Sequence, residues 1–464
     1  MKNEYRPRVH FTPSENWMND PNGMVYVNGS YHLFYQYYPL DTVWGPMHWG
    51  HAVSEDLLHW THKPIALYPD ELGYIFSGSC VFDKDNVSGF GTKDNPPLIA
   101  IFTSHNPENN QEQQSIAYSL DYEHFEKYDE NPVISNTEKK DFRDPKIFWN
   151  PVKECWSLAL AAGHTIEFYQ SKNLKEWSKT GEFITGEHGF GGICECPDCF
   201  PLETGEGTKW VLIISMILPK EKIGQNAMQG EYWMEHVTQY YVGEFDGNTF
   251  INTMQSKEPL LLDFGPDNYA GVTFQNLNEK IMIGWAENWA YANKTPSKEF
   301  RGKMTLARRM SLINTGDGYR LRFQPIGLEK YQIETNEIKK QYKLQEQCFG
   351  LHIDYESHGK ITLCNKKGEE LYVQVTDTEI ILDRSNAGVN DFEEHFGQPA
   401  FGRFVAKRTT SGPSHMEIIF DHALIEVFGE DGLIPISASV YPTEPYEQIL
   451  LEGNARAWIY VVDK

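Results

Sequence analysis

Four short segments of this chain end a strand-like run in the same way. "SEDLLHW" (54–60), "SLDYEHF" (119–125) and "SKNLKEW" (171–177) each carry Ser, then Asp or Asn two residues on, then an aromatic residue six on. "EFDGNTF" (244–250) keeps the Asp and the aromatic but not the Ser. Each follows an apolar run, "GHAV", "SIAY", "IEFYQ" and "YYVG" in turn. Short oxygen-bearing side chains close tight turns by accepting backbone N–H groups, so one such match is ordinary hairpin chemistry. Four of them, starting 65, 52 and 73 residues apart, are spaced at about one four-stranded sheet per repeat. That spacing predicts a β-propeller. The rest of the first 325 residues agrees, with many short Val-, Ile-, Tyr-, Phe- and Trp-rich runs broken by Gly, Asn, Asp and Pro.

At 464 residues the chain exceeds one ordinary core, and its texture changes near residue 325. "LEKYQIETNEIKKQYKLQEQ" (328–347) is charged and free of Pro and Gly, which suits a helical connector or a long edge strand. Alternating strands then return in "KITLCN", "ELYVQVTD", "TEIILD", "MEIIFD" and "ALIEVF". The expectation is an all-β protein: a propeller over 1–325, a connector over 326–347 and a β-sandwich over 348–464.

Charge narrows the partners. With 41 Lys and Arg against 65 Asp and Glu, the formal net charge of −24 repels nucleic acid and anionic membranes. The N-terminal "MKNEYRPRVHF" has no apolar h-region, and the longest apolar run, "WVLIISMIL" (210–218), is too short to span a bilayer. These features predict a soluble cytoplasmic protein, unless a leader has been removed. Seven cysteines, irregularly spaced outside one C-x-C-x-x-C cluster at Cys194, Cys196 and Cys199, are expected to be free thiols.

Three acids stand out by context: Asp20 in "NWMNDPNG", Asp144 in "DFRDPKIFW" and Glu195 in "GGICECPDCF". Singly, each reads as a turn residue or a surface ion pair. Together, each lies one or two residues before a proline and at the edge of a short strand. The innermost strands of a propeller face one channel, so acids near 20, 144 and 195 converge there from different blades. "HLFYQYYP", "WGPMHWGH" and "FSGS" add Gln36, Trp44, Trp49, Phe76 and Ser77. Aromatic faces beside hydrogen-bonding groups suit a sugar, whose C–H faces are apolar and whose rim is hydroxyls; for Trp49 and Trp60, core packing is the favoured reading.

"HFTPSENWMNDPNG", "HLFYQYYP", "WGPMHWGHAVSEDLLHW", "FSGS", "FRDPK" and "ECPD" occur in an order and at spacings that resemble glycoside hydrolase family 32. That family comprises invertases, levanases, inulinases and related β-fructofuranosidases. The resemblance covers the first 325 residues or so densely, and the β-rich remainder fits the family's accessory sandwich. It implies a five-bladed β-propeller followed by a C-terminal β-sandwich, with Asp20 as nucleophile, Glu195 as general acid/base and Asp144 as transition-state stabiliser. Asn19, Gln36, Trp44, Phe76, Ser77 and Arg143 match positions that shape the fructose pocket, as do Asp267 in "GPDNYA" and Trp285 in "IGWAENW". Double displacement at a fructofuranosyl carbon needs one ionised and one protonated carboxyl, roughly 5–5.5 Å apart in retaining enzymes, and no metal or organic cofactor.

The implied activity is hydrolysis of terminal β-D-fructosyl residues from sucrose, fructo-oligosaccharides or fructans. Fructosyl transfer and sucrose 6-phosphate hydrolysis are the alternatives on the same scaffold. A non-catalytic sugar-binding propeller and a metal protein built on the cysteine cluster are the readings from other classes. The chain departs from its relatives at Cys194, where Trp is frequent, at Cys199, usually apolar, and at Ala307, where Pro usually precedes Arg. Thiol modification in the 194–199 cluster is expected to lower activity.

Overall fold

The computed structural model describes residues 5–187, 189–219, 234–254, 259–410 and 412–462. Five antiparallel sheets follow one another along the chain as propeller blades. Blade I comprises Asn16–Val27, Ser30–Tyr38, His48–Ser54 and Thr61–Leu67, and blade II comprises Tyr74–Phe82, Leu98–Asn106, Gln111–Ser119 and Glu126–Lys127. Blade III is built from Phe142–Asn150, Cys155–Ala162, Thr165–Ser171 and Ser178–Ile184. Blade IV takes Ile193–Thr204, Gly207–Ile217, His236–Phe245 and Phe250–Asn252, with Leu260–Leu261 beside its third strand. Blade V takes Tyr269–Thr273, Ile281–Trp285, Arg308–Asn314 and Tyr319–Pro325. The first strand of each blade packs on the first strand of the next around a central axis. The ring closes where Phe300–Arg301 pairs in parallel with Asn16 and Trp17 of blade I.

The repeated turns join the third and fourth strands of blades I to IV. One Asp or Asn oxygen takes two backbone N–H groups in each: Asp56 from Leu58 and His59, Asp121 from Glu123 and His124, Asn173 from Lys175 and Glu176, and Asp246 from Asn248 and Thr249, all at 2.7–3.1 Å. The closing aromatic then packs between blades, Phe125 edge-on to Phe34 and Phe250 edge-on to Phe183. Blade V turns through "NTGDG" instead, with Asn314 Oδ1 accepting from the Gly316 N–H, so the repeat has four members and the propeller five blades.

The charged segment 328–347 forms no helix. Its strands Asn336–Ile338 and Gln341–Lys343 pair with Gln448–Val461, and Ile338 and Leu344 are buried in the second core. That core belongs to a sandwich organised by two long strands, Cys348–Cys364 and Gln448–Val461. They pair along their lengths with a register break between Tyr355 and Gly359. Before the break Cys348–Cys364 pairs with Ser414–Asp421, after it with Glu370–Val375, so the same strand serves both layers around Leu351, Ile361, Leu382, Ile418 and Ile436. Among the described residues no helix is long and apolar enough to cross a membrane; most of the apolar run at 210–218 is the buried second strand of blade IV.

Buried charge fastens the sandwich to the propeller. Asp421 accepts the backbone N–H groups of Arg8, Val9 and His10 and lies 2.9 Å from His10 Nδ1. Burial alone would raise its pKa, but the His10 and His422 hydrogen bonds and charges outweigh burial and hold the carboxyl far below the usual range. Arg308, fully buried, reaches Asp263 at 3.0 Å and Glu426 at 3.1 Å.

Candidate active site

All five inner strands are interrupted at the same height, each by two residues facing one on the neighbouring strand. The interruptions are Asn19–Asp20 opposite Gln36, Phe76–Ser77 opposite Thr103, Asp144–Pro145 opposite Leu160, Cys196–Pro197 opposite Ile214 and Ala270–Gly271 opposite Gly284. A β-bulge of this kind breaks the strict alternation of faces and re-aims a side chain. Proline belongs at such a break because it has no N–H to give the ladder. Asp144, Cys196 and Ala270 adopt positive φ of 66°, 45° and 53°, an uncommon backbone for non-glycine residues.

The bulge residues Asn19, Asp20, Phe76, Ser77 and Asp144 of blades I to III, with Glu195 beside the bulge of blade IV, line one pocket of about 320 Å³ together with Gln36, Trp44, Glu112, Arg143 and Trp289. Its size is that of a small-ligand site. Asp20 accepts from Ser77 Oγ at 2.6 Å and from Asn19 Nδ2 at 3.0 Å. Burial raises its pKa, those two donors pull it back, and the Glu195 charge adds to the rise. Asp144 Oδ2 accepts the Cys196 N–H at 2.9 Å. Its pKa is raised too, by burial first; Arg143 opposes, while Glu195 and Asp20 add. The Cys196 thiol lies 3.5 Å from one oxygen of each of these carboxyls.

Glu195 is held differently. Arg143 Nη2 and Nε donate to its Oε1 at 3.1 and 3.3 Å, and the Tyr269 hydroxyl donates to Oε2. Burial and the Glu195 charge keep the Tyr269 pKa well above its ordinary value, so the phenol remains a donor. Behind the acids, Asp198 accepts from the Thr273 N–H and hydroxyl and pairs with buried Lys146 at 3.3 Å. Trp44, 40 % exposed, meets Phe76 edge-on at 6.2 Å, and Gln36 is fixed by Asn22 Oδ1 and the Ile75 carbonyl.

Two expected pocket residues lie elsewhere. Asp267 is fully buried at the propeller–sandwich junction, where Arg384 Nη1 at 2.9 Å, the Ser439 N–H at 2.7 Å and the Tyr291 hydroxyl satisfy it. Trp285 is fully buried, 6.1 Å from Trp17 and 4.8 Å from Trp289. It backs the wall that Trp289, four residues on in the same "IGWAENW" segment, presents to the pocket. Trp49 is core, its Nε1 donating to the Phe76 carbonyl. Sequence reasoning missed Glu112, Tyr269 and Trp289, although Tyr269 stands two residues after Asp267 in "GPDNYA" and Trp289 four residues after Trp285 in "IGWAENW".

The cysteine cluster is divided by its own bulge. Cys194 and Cys199 are buried among Ala159, Phe168 and Leu212, while Cys196 faces Met18, Tyr269 and the acids. Among the described residues the group close enough to hold a metal is Glu393, Glu394 and His395 in the sandwich, not these thiols. Burial pushes the Cys194 thiol up to about 12 and the other two well above their ordinary value.

The family model for the glycosyl hydrolases family 32 N-terminal domain matches residues 10–325, and that for the family 32 C terminal matches 330–458. The chain belongs to glycoside hydrolase family 32. It is 38 % identical over 470 residues to a levanase of Bacillus subtilis (strain 168), covering 95 % of this chain and 67 % of the relative. The crystal structure of exo-inulinase from Aspergillus awamori superimposes with a TM-score of 0.88 at 32 % identity, over 99 % of this chain and 98 % of that one. A β-fructofuranosidase from Schwanniomyces occidentalis, complexed with fructosyl-erythritol, gives 0.86 at 26 % identity over 100 % and 99 %. This family 32 chain shares with those structures the all-β propeller-and-sandwich architecture.

Proposed function

We propose that this family 32 member is a retaining β-fructofuranosidase that releases terminal non-reducing β-D-fructofuranosyl residues from sucrose, fructo-oligosaccharides or fructans. The observation that carries the reading is the convergence of Asp20, Asp144 and Glu195 in one small pocket, each with a different set of partners. Asp20 has only neutral hydrogen-bond donors, which suits the carboxylate that attacks the anomeric carbon and forms the covalent fructosyl-enzyme. Glu195 is held by Arg143 and Tyr269 from the side of blades III and V, which suits the group that protonates the leaving oxygen and then takes a proton from water. Asp144 is fixed by the Cys196 N–H and faces the same space, where its charge steadies the oxocarbenium-like state. Asp20 and Asp144 lie close enough to Glu195 for its charge to oppose their ionisation.

The names of the relatives favour fructans, and the pocket favours unphosphorylated sugar. Arg143 is the one basic side chain among the lining residues, and it already serves Glu112, Asp141 and Glu195. Among the described lining residues a sugar phosphate entering there meets carboxylates and no uncommitted cation. Initial rates on sucrose, 1-kestose, inulin, levan and sucrose 6-phosphate rank the substrates, and free fructose against longer products separates hydrolysis from transfer. Glu195→Gln is expected to cut fructose release by about 10²–10⁴-fold and Asp20→Asn by at least as much, with cooperative thermal unfolding retained. Near-normal turnover in either folded variant removes the assignment.

A further inference from the structure

A guanidinium beside a proton donor poses a problem. Arg143 Nη2 lies 3.1 Å from Glu195 Oε1, and an adjacent cation favours the carboxylate, which has no proton to give. The rest of the arginine's surroundings answer it. Its Nη1 lies 2.8 Å from Asp141 Oδ1 and 3.3 Å from Glu112 Oε2. Glu112 comes from the third strand of blade II and reaches across to blade III. It is buried and fixed on every side: Oε2 accepts the Phe142 N–H at 2.7 Å, and His105 Nδ1 lies 3.4 Å from Oε1. The His105 ring in turn stacks on Phe76 of the pocket wall at 4.3 Å.

We propose, on the strength of the fructofuranosidase reading, that Glu112 and Asp141 are positioning residues that divide the charge of Arg143, so that the arginine orients Glu195 for proton donation without pairing with it alone. Arg143 orients Glu195 with two hydrogen bonds, and the two extra anions offset the charge those hydrogen bonds bring. Burial would raise the Glu112 pKa, but His105, Arg143 and the Phe142 N–H outweigh it and hold the group below the usual carboxyl range, so it is an anion wherever the enzyme works. The other groups facing Glu195 are the Tyr269 hydroxyl from blade V, Asp20 from blade I, Asp144 from blade III, and Cys196 beside it, with the His236 ring 5.5 Å behind Tyr269. Lys139, near Phe142, is committed to Glu167.

The test is the pH profile of kcat/KM for Glu112→Gln, Asp141→Asn, the double variant and Glu112→Asp. Removing an anion favours ionised Glu195, so the alkaline limb moves to lower pH. The shift expected is about one pH unit for Glu112→Gln and about half a unit for the more exposed Asp141→Asn, and larger in the double variant than in either single one without being their sum, because both anions share Arg143 Nη1. Glu112→Asp keeps the charge and is expected to keep the wild-type limb. Asp141 sits at φ 54°, a conformation asparagine accepts, so Asp141→Asn decides the matter even if Glu112→Gln does not fold. A lower kcat with an unmoved alkaline limb in the folded variants overturns the proposal and leaves the fructofuranosidase reading standing. A wild-type protein that releases no fructose sinks both.

Discussion

Ser77 donates its hydroxyl to Asp20 Oδ2 at 2.6 Å from the bulge of blade II, and Ser77→Ala removes that donor alone. The side chain is 4 % exposed, so water does not readily replace the lost hydrogen bond. A hydrogen bond to a charged acceptor is worth about 1.5–3 kcal/mol, and about 1.4 kcal/mol is one pKa unit. The donor stabilises only ionised Asp20, whose pKa burial already raises. Losing it raises the value further, by about one to two units, less what Asn19 and the Cys196 thiol recover. Ionised Asp20 is the attacking form, so the acid limb of the kcat/KM profile moves to higher pH by about one unit. Asp20 and Asp144 lie in one field, so the limb belongs to the pair. The alkaline limb stays, because Ser77 does not contact Glu195. The assay is fructose release from sucrose or 1-kestose across the pH range. An unmoved acid limb, or both limbs moving together, refutes the account of how Asp20 is kept ionised.

Two further outcomes follow from burial. The sequence predicts that thiol modification lowers activity, but Cys194, Cys196 and Cys199 are each 5 % exposed or less and their thiols are pushed well up the pH scale. A reagent does not reach them, so alkylation of the folded enzyme at neutral pH is expected to leave them unmodified and activity intact; a mass increment on any of them with native melting contradicts this. Asp421→Asn removes the anion that anchors the 8–10 backbone and His10, at a cost of about 3–5 kcal/mol near neutral pH. Because the folded Asp421 value lies below the unfolded one, its contribution is present above about pH 4 and is lost as pH falls towards the folded value. The gap between wild-type and variant denaturation midpoints therefore narrows in acid; a gap that widens there refutes the role.

Local chemistry was legible and long-range cover was not. The turns of blades I to IV announce themselves because one Asp or Asn does the same work within three residues. The segment 328–347 misleads for the opposite reason. Its charge and lack of breakers suit a helix, but its edge positions on Gln448–Val461 are offered by a strand more than a hundred residues later. Asp267 fails likewise: it stands just before the inner strand of blade V, where a pocket acid would stand, yet Arg384 and Ser439 of the sandwich claim it. Nothing near Asp267 in the sequence shows that a second domain covers that end of the blade.

The acid–proline pairs were the strongest local clue to the site, and the structure says what they encode. In a regular strand neighbouring residues face opposite ways, so acids at the ends of strands do not by themselves meet. Asp20 stands before Pro21, Asp144 before Pro145 and Glu195 before Cys196–Pro197, and each pair lies within or beside a bulge. Proline marks where the ladder is broken, and the break decides which side chain turns to the axis. Blades II and V make the same break with glycine. A Cβ on Gly78 would sit 2.0 Å from the Ile101 carbonyl oxygen, so the residue after Ser77 must lack one. Phe76 and Ser77 were reached as an aromatic face beside a hydroxyl, not as a break in the strand, and Tyr269, directly before the Ala270–Gly271 bulge, was passed over. "YAGV" has neither proline nor charge, so nothing separates it from an ordinary buried strand. The site is thus one structural event repeated five times, visible in the sequence only where proline rather than glycine breaks the strand.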